Sequence, residues 1–412
     1  MKRIYFDHSA STPVDADVLK KMLPFFSTHF GNASSVHSFG QQAHKAVDEA
    51  RQSAADFLNC GPDEIVFTSG ATEANNLAVS GVMKAMRRRY KNDKLHVITS
   101  VIEHDSILEP FAGLERDGIE VSHVPVKPNG VIDPEVLRGM IKPETVLVSI
   151  MYVNSEVGSI QPIRDVGKII RKINEKKLRD WQRADTKKRG EKPRSILFHT
   201  DATQAVNFLD CNVKNNFLDM LSLSGHKIYG PKGIGLLYVK SGAPIAAMQL
   251  GGHHEGNRRS GTLNTPGIVG LGAALTKLTP KATAADNRKI SRLRDSLITG
   301  ITKKIPDVIL NTDQSIATPA HAHFSFLGVE GESILIALDL EGIAVSTGSA
   351  CASQSLKASH VLVAMGIKVE IAHNSIRFSL GKHNTPDDIK KILAVLPAIV
   401  KRLRRISTEY DK

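Results

Sequence analysis

The sequence predicts an α/β fold, because short apolar runs alternate with segments of helical periodicity along its first two thirds. Each of these apolar runs stops at a small group of polar residues. With 412 residues, of which 41% are hydrophobic, the chain can bury a large core and is expected to divide into two domains.

Five predicted strands end in polar clusters. One such cluster alone is more often a helix cap or a turn, but that explanation weakens when five strands share the pattern. In an open parallel sheet, ligands bind beyond the carboxyl ends of the strands, so we expect the clusters to converge on one site. In chain order they are residues 69–72 in EIVFTSGATEANN, Glu103 with His104 in HVITSVIEHDSI, Asn154 in TVLVSIMYVNSEVG, Asp201 with Gln204 in SILFHTDATQAV, and His226 with Lys227 in DMLSLSGHK.

The residue types in these clusters suit a phosphate group and a ring nitrogen. The turn at residues 70–72 opens a helix and offers backbone N–H groups and a hydroxyl group to a phosphate, with Ser224 and His226 as further donors. Asp201 lies late in an apolar strand, where a bare carboxylate is costly to bury unless a cation or donor meets it. A protonated pyridine nitrogen would meet it well. With the amine of Lys227 nearby, these features describe pyridoxal 5′-phosphate (PLP) held as a Schiff base.

Eight motifs together resemble the cysteine desulfurases of the NifS and IscS type, which have the fold of the class V aminotransferases. In the family's order they are SGATEANNLA, IEH, VNSEVG, HTDATQ, SGHKIYGPKGIG, RRSGTLNT, STGSACAS and SIRFSLG. The resemblance implies the type I fold of PLP-dependent transferases, with a mostly parallel seven-stranded sheet in a large domain. It implies an N-terminal arm (1–15) that packs with the small domain, a large PLP-binding domain (16–261) and a smaller α+β C-terminal domain (262–412).

The resemblance also implies a role for each matching residue. Lys227 would hold PLP covalently, and Asp201 and Gln204 would hold its ring. His104 would stack on the ring and shuttle protons. The other cofactor ligands that it implies are Ala71, Thr72, Ser224, Gly225, His226 and Asn154.

Two further matches concern the substrate and the partner subunit. Asn154 and Arg377 would bind the substrate carboxylate, which suits the forked donors of a guanidinium group. An alternative for Arg377 is a structural ion pair. Thr262 of the RSGT motif would reach the phosphate in the partner subunit, so the resemblance implies a homodimer.

Cys351 is the residue that separates the activities found on this fold. It lies in AVSTGSACASQSLKAS, a run of small and polar residues typical of a loop. The resemblance implies that its thiolate takes sulfur from L-cysteine as a persulfide and leaves L-alanine. Sulfur would then pass to an iron–sulfur scaffold protein or to tRNA thiolation, with Cys351 a potential transient iron–sulfur ligand and no resident metal. Cys60 and Cys211 lack such a context and are interpreted as structural.

Three alternatives stay open at this point. A class V aminotransferase would use Lys227 and Asp201 equally but would have no use for Cys351. A selenocysteine lyase would share nearly every motif. A basic scaffold without enzymatic activity would bind RNA with a strong dependence on salt and would carry no chromophore.

Cysteine use and the first residues indicate the compartment. The three cysteines are an odd number, lie far apart and show no C-x-x-C pair, which favours a reducing compartment. The N-terminal MKRIYFDHSASTPVD does not resemble a signal peptide, and we find no apolar run that would span a bilayer. We therefore expect a cytoplasmic protein without a membrane anchor.

The net charge of +12 is concentrated in one segment. Residues 168–194 hold twelve basic and four acidic side chains and are expected to form a helix that ends in a solvated loop. The alternative for this segment is a contact surface for RNA or an acidic protein. Because Trp181 is the only tryptophan of the chain, a base-stacking surface is not expected, and contact with nucleic acid is less favoured than a solvated loop. This segment is longer than the connection usual in the resembling family. Gly256 and Asn257 also depart from the family pattern, upstream of Thr262.

Overall fold

The computed structural model describes residues 3–91, 93–184, 193–347 and 358–407. Its strands are β1 (Ile4–Tyr5), β2 (Ile65–Thr68), β3 (His96–Ser100), β4 (Glu120–Val124), β5 (Thr145–Ser149), β6 (Leu197–Asp201), β7 (Met220–Ser224), β8 (Gly235–Val239), β9 (Val308–Leu310), β10 (His321–Phe326), β11 (Ile343–Ala344) and β12 (Ser375–Ser379).

The α-helices follow the strands in alternation through the first two thirds of the chain. They are α1 (Ala16–Met22), α2 (Pro24–Ser27), α3 (Ser38–Leu58), α4 (Ala71–Asn76), α5 (Val82–Arg89), α6 (Asp105–Arg116), α7 (Pro134–Met140), α8 (Ile163–Arg183), α9 (Thr265–Thr276), α10 (Pro280–Lys304), α11 (Gly331–Leu340), α12 (His360–Ala364), α13 (Val369–His373) and α14 (Pro386–Ile406).

The main sheet has seven strands in the order β2-β8-β7-β6-β5-β3-β4. Only β8 runs against its neighbours, so β2 and the five other strands share one direction. Strands β3, β5, β6, β7 and β8 are buried at every position, as expected for a sheet covered on both faces. These observations confirm the predicted α/β fold with a mostly parallel seven-stranded sheet.

Neighbouring apolar residues of each strand serve opposite faces of the sheet. Phe198 packs in the core under α3, α8 and α9, whereas Leu197 packs in the core under α5 and α6. Leu221 and Met220 divide in the same way on β7. This alternation follows from the two-residue period of a strand and explains why the apolar runs are unbroken.

A second packing unit follows the main sheet along the chain. Its antiparallel sheet has the order β12-β10-β9, and α10, α11 and α14 pack with it around Phe324, Phe326 and Phe378. Strand β1 pairs in parallel with β11, so the N-terminal residues also belong to this core.

The domain bounds from the sequence stay predictions, and α9 bears on one of them. This helix packs on α1 and α3, and its Leu271 and Ile268 share the core beneath the main sheet. We infer that the boundary falls after Thr276 rather than at residue 261. Among the described residues, every helix is too short or too polar to cross a lipid bilayer.

Candidate active site

The carboxyl edge of the main sheet gathers the predicted polar clusters. Strands β2, β3, β5, β6 and β7 are parallel, so the residues that follow them emerge at the same edge. The convergence expected from the sequence is therefore present in the fold.

Two glycines allow the start of α4 to approach the end of β7. Gly70 has φ 156° and ψ −177°, a conformation that other residues avoid. A Cβ at Gly235 would lie only 2.8 Å from the Gly70 Cα, and a Cβ at Gly70 would lie 3.7 Å from the Ser224 Oγ. Glycine at position 235 therefore lets the turn before α4 lie against β8, and the Gly70 backbone leaves open space beside the Ser224 hydroxyl group.

Asn75 lies inside the helix that follows this turn and was not among the residues singled out from the sequence. A π-helical turn (Leu77–Gly81) joins α4 to α5, and such turns are frequent at functional sites. The buried Asn75 Nδ2 donates hydrogen bonds to the Asp201 Oδ2 and to the Ser106 Oγ, each at 2.8 Å. An asparagine on the apolar face of ATEANNLAV is the sequence signal that could have revealed it.

Asp201 is a buried carboxylate that hydrogen-bond donors hold on both oxygens. Its Oδ2 accepts from Asn75, and its Oδ1 accepts from the backbone N–H of Thr203 at 2.9 Å. A carboxylate that is only 7% exposed requires such donors. The arrangement fixes the direction in which the carboxylate faces the edge of the sheet.

His104 and Glu103 follow β3 and have different environments. The His104 Nδ1 accepts a hydrogen bond from the Ser106 backbone N–H at 3.1 Å and so caps α6. Glu103 is fully buried and accepts hydrogen bonds from the Ser100 Oγ at 2.5 Å and the Met151 backbone N–H at 2.9 Å. Burial raises the pKa of Glu103 to about 8, so this carboxyl group is mostly protonated at neutral pH.

Lys227 ends a short 3₁₀ turn (Gly225–Lys227) and contacts the N-terminal arm. Its amine donates to the backbone carbonyls of Ser9 and Ala10, the latter at 3.0 Å. The Gln204 Nε2 donates to the same Ser9 carbonyl at 2.9 Å. Lys227 and Gln204, which the sequence assigns to one cofactor, therefore meet at one segment.

His226 precedes Lys227 and is uncharged at neutral pH. Burial, together with the smaller effect of the Lys227 and Lys232 charges, lowers its pKa to about 4. Its Nδ1 lies 3.3 Å from the Ser11 Oγ, and its carbonyl accepts from Thr12. A neutral imidazole beside Ser224 can donate a hydrogen bond to an anion without adding charge.

Arg377 reaches the same segment from β12 in the second packing unit. It is 4% exposed, and its Nη2 donates to the Asp7 Oδ1 at 2.7 Å while its Nη1 donates to the Ser155 carbonyl at 3.0 Å. The ion pair left open by the sequence is thus present. A guanidinium group has five N–H donors, so the pair with Asp7 does not exhaust its capacity.

The buried Asn154 shapes the loop after β5. Its Nδ2 donates to the Ile102 carbonyl at 3.2 Å, and its Oδ1 accepts from the backbone N–H groups of Glu156 and Val157 at 2.9 and 3.0 Å. These bonds explain its burial without a ligand. Its predicted contact with cofactor and substrate stays a prediction.

The family model described as aminotransferase class-V matches residues 4–180 and 184–392. The chain belongs to this class V family. It is 43% identical over 408 residues to the protein named cysteine desulfurase IscS of Dictyoglomus turgidum, which covers 99% of this chain and 97% of that relative.

Two solved structures resemble this class V chain over nearly its whole length. The structure of a NifS-like protein has a TM-score of 0.86 and 34% identity, and it covers 98% of this chain and 100% of its own. The structure of SspA in complex with cysteine has a TM-score of 0.77 and 35% identity, with 93% and 100% coverage. The fold assignment from the sequence is therefore confirmed, and the chain is an enzyme of this class V family.

The loop before Thr262 explains the departure of this chain from the expected class V pattern. Glu255, Gly256 and Asn257 have φ values of 48°, 61° and 64°, a left-handed run that glycine and asparagine tolerate best. The buried Glu255 holds the loop by two hydrogen bonds from Arg51, at 2.6 and 3.1 Å. Gly256 and Asn257 therefore suit the backbone that they form.

For four further predicted functional residues, the contacts described above do not account for the predicted role. Thr262 is exposed. Ala71 and Thr72 contribute the start of α4, and Cys351 lies outside the described residues. Of the other cysteines, Cys60 is half-buried, and burial followed by the charge of Glu64 raises its pKa to about 12.

Cys211 is buried, and burial raises the pKa of its thiol far above the usual range. A thiol without access to its thiolate form is unreactive, which agrees with a structural role for both of these cysteines.

Proposed function

We propose that this protein is a cysteine desulfurase, which converts L-cysteine to L-alanine and passes the sulfur on as a persulfide of Cys351. One observation carries the proposal: the Lys227 amine and the Arg377 guanidinium group contact the same short segment, through Ser9 and Ala10 on one side and Asp7 on the other. An α-amino acid carries its amine and its carboxylate on one carbon atom. A site for such a substrate needs a lysine-bound cofactor and a carboxylate ligand at this close spacing.

The cofactor that we propose is PLP, and the residues present fit it. The space beside Gly70, next to the Ser224 Oγ and the first turn of α4, suits a phosphate. The buried Asp201 suits a protonated ring nitrogen, and Lys227 suits a covalent linkage. When bound, PLP withdraws electrons from the substrate and so weakens bonds at its α- and β-carbon atoms.

The chain's own residues would bind and orient the amino acid. Arg377 would hold the carboxylate, while Asp7 and the Ser155 carbonyl fix the plane of its guanidinium group. The Lys227 amine would move protons to and from the substrate carbon atoms. The Cys351 thiolate would attack the substrate sulfur, because a thiolate is the nucleophilic form of cysteine. His226 would donate to the phosphate as a neutral ring.

We further propose a homodimer in which Thr262 reaches the partner's phosphate site. Five large apolar side chains between α1 and the start of α3 support it, since they are between 45% and 66% exposed. Exposed apolar side chains that lie together mark interaction surfaces, and the rings of Phe30 and Phe39 are 5.7 Å apart. The five side chains are Leu19, Leu23, Phe26, Phe30 and Phe39.

The loop that carries Thr262 is tied to the proposed phosphate site of its own chain. The Arg259 Nε donates to the Glu73 Oε1 at 2.8 Å, and Glu73 belongs to the first turn of α4. Burial alone would raise the Glu73 pKa, but the hydrogen bonds from Arg259 and Ser69 outweigh it and hold the pKa below its usual value. The ion pair between Arg259 and Glu73 would orient the loop so that Thr262 points toward the second subunit.

The acceptor of the sulfur is proposed from the relatives' names and from the family. An iron–sulfur scaffold protein or a tRNA-thiolating protein in the cytoplasm would receive it, with Cys351 able to ligate iron briefly during transfer. We propose no resident metal. Among the described residues, no three histidine, cysteine or carboxylate side chains form a group that could hold a metal ion.

The test is to incubate the purified protein with L-cysteine and a reducing thiol and to measure alanine and sulfide. We expect equal amounts of both from the wild type and from Cys60→Ser, and almost none from Cys351→Ser. A keto acid product would indicate an aminotransferase, and a far better rate with L-selenocysteine would indicate a lyase. Normal turnover by Cys351→Ser would show that sulfur leaves by simple elimination.

A further inference from the structure

The imidazole of His104 is fixed by its position as the N-cap of α6. The backbone N–H of Ser106 points at the His104 Nδ1 from 3.1 Å. A backbone N–H can only donate, so this ring nitrogen must present its lone pair to it. The helix therefore determines which nitrogen of a neutral His104 is free of hydrogen.

A second donor points at the same nitrogen. The Ser106 Oγ lies 2.9 Å from the His104 Nδ1, and this oxygen also accepts a hydrogen bond from the Asn75 Nδ2 at 2.8 Å. Because the hydroxyl oxygen accepts from Asn75, its own hydrogen atom can point to His104. Two hydrogen bonds from Ser106 then fix the position of the His104 Nδ1.

Asp201 sets the direction of this chain of hydrogen bonds. An ionised carboxylate only accepts, so the Asn75 amide must turn its NH₂ group toward the Asp201 Oδ2, at 2.8 Å. The opposite orientation would place the Asn75 Oδ1 against a carboxylate oxygen. The proposed ring-nitrogen partner and the proposed ring-stacking residue are thus linked through Asn75 and Ser106.

We propose that Asn75 and Ser106 are positioning residues that hold His104 as the neutral imidazole with its proton on Nε2, so that His104 serves the reaction as a hydrogen-bond donor and not as a base. A base needs a lone pair on the nitrogen that faces the reacting atoms, and in this form Nε2 has none. The other tautomer would turn an Nδ1–H against the Ser106 N–H and break the cap of α6. That Nε2 faces the cofactor and substrate rests on the proposed function. In this proposal the proton transfers are made by Lys227.

The first test reads the proton position directly and needs no turnover. The full-length protein is labelled with ¹⁵N-histidine, with and without PLP, and nuclear magnetic resonance reports which ring nitrogen is protonated; His104→Gln identifies the signal. We expect an unprotonated Nδ1 and a protonated Nε2 in the wild type. A protonated Nδ1 would overturn the proposal whether or not the protein proves to be a desulfurase.

Variants test the two positioning residues. Asn75→Leu and Ser106→Ala should each give a measurable fraction of the Nδ1-protonated form. The matched control is Asn76→Leu, because the half-buried Asn76 donates only to the Thr72 carbonyl at 2.9 Å among the contacts described. If neither Asn75→Leu nor Ser106→Ala differs from this control, the two residues do not position the ring.

A kinetic comparison separates a donor from a base. Glutamine can donate a hydrogen bond but cannot accept a proton, so His104→Gln should turn over L-cysteine at least tenfold faster than His104→Leu. The pH profile of kcat should also keep both limbs in His104→Gln. If both variants lose turnover equally, or if the pH profile of His104→Gln lacks one limb, His104 acts as a base and the proposal is wrong.

Discussion

The two edges of the main sheet differ in how far the polar and charged side chains compared here are exposed to solvent. At the carboxyl edge, Asp201, Asn75 and Glu103 are buried and hydrogen-bonded within the protein. At the amino edge, His96 is buried, but several charged side chains are exposed and form surface pairs, such as Arg87 with Asp117 at 3.0 Å. The comparison teaches that burial decides which polar residues are costly to change, whatever their number.

The direction of the helices produces this difference. Helices α4 and α6 begin at the carboxyl edge, whereas α5 and α8 end at the amino edge with basic last turns. The start of a helix favours anions and its end favours cations. Among the described residues, the basic last turns of α5 and α8 therefore lie at the edge opposite the candidate active site, and changes at the two edges should differ in their effects.

The largest effect is expected at Lys227. Lys227→Ala should lose the covalently held cofactor and its absorption band, and loss of proton transfer alone should lower kcat by roughly 10²- to 10⁴-fold. Absorption spectra and borohydride reduction followed by peptide mapping would measure this. Lys232→Ala is the matched control, since Lys232 is exposed in the same connection between β7 and β8. Cofactor reduced onto Lys232 or another lysine would contradict the assignment.

Next in size is the effect expected at Arg377. Arg377→Lys keeps the charge but loses the fork of donors, so KM for L-cysteine should rise roughly tenfold to a hundredfold while kcat changes less. The control is Arg404→Lys, because Arg404 is also buried and binds the Leu327 and Asp307 carbonyls at 3.0 and 2.9 Å. An unchanged KM for Arg377→Lys would mean that Arg377 does not bind the substrate and serves only in the ion pair with Asp7.

A smaller, pH-dependent effect is expected at Glu103. Its folded pKa of about 8 lies above its unfolded value, so the stability it contributes is full below about pH 4.5 and falls as the pH rises toward 8. Glu103→Gln should avoid this loss and gain up to about 1.4 kcal/mol per pH unit over the wild type in that window. Urea denaturation at several pH values would measure it.

The control for Glu103 comes from the amino edge. The hydrogen bond from Lys142 lowers the pKa of the exposed Glu120, so stability from this pair is lost only as the pH falls below the unfolded value. Glu120→Gln should therefore show no such gain toward pH 8. The same slope in both variants would mean that burial does not distinguish the two edges.

The smallest effect is expected from deletion of residues 175–192, which begins in the second half of α8. Asn174 exchanges two hydrogen bonds with the backbone of Ile196, both 2.9 Å, so the cut ends already lie close together. Cofactor binding and L-cysteine turnover should stay within about twofold of the wild type. Loss of folding or of cofactor would show that the end of α8 supports the main sheet.

Much of the carboxyl edge could be predicted from the sequence, because each strand and the polar residue after it are adjacent in the chain. Asp201 and Lys227 are examples. The role of Asn75 was not predicted, because a single polar residue within a helix has no distinct spacing and its partner Asp201 lies 126 positions away. The contact between Asp7 and Arg377 was not predicted either, because the two residues are 370 positions apart. The helix expected from residue 168 onward continues to Arg183, since half-buried residues such as Ile173 extend its apolar face.

The arm that holds Lys227 and Arg377 places a condition on biosynthesis. Asp7 and Arg377 are 370 positions apart, and at the usual rates of translation the second follows the first by roughly 20 to 70 s. Lys227 precedes Arg377 by 150 positions, so for roughly the last 8 to 30 s of that interval its turn can fold on the main sheet before β12 has been made. The candidate site is thus completed late in synthesis, when Arg377 has left the ribosome and can pair with Asp7 of the N-terminal arm.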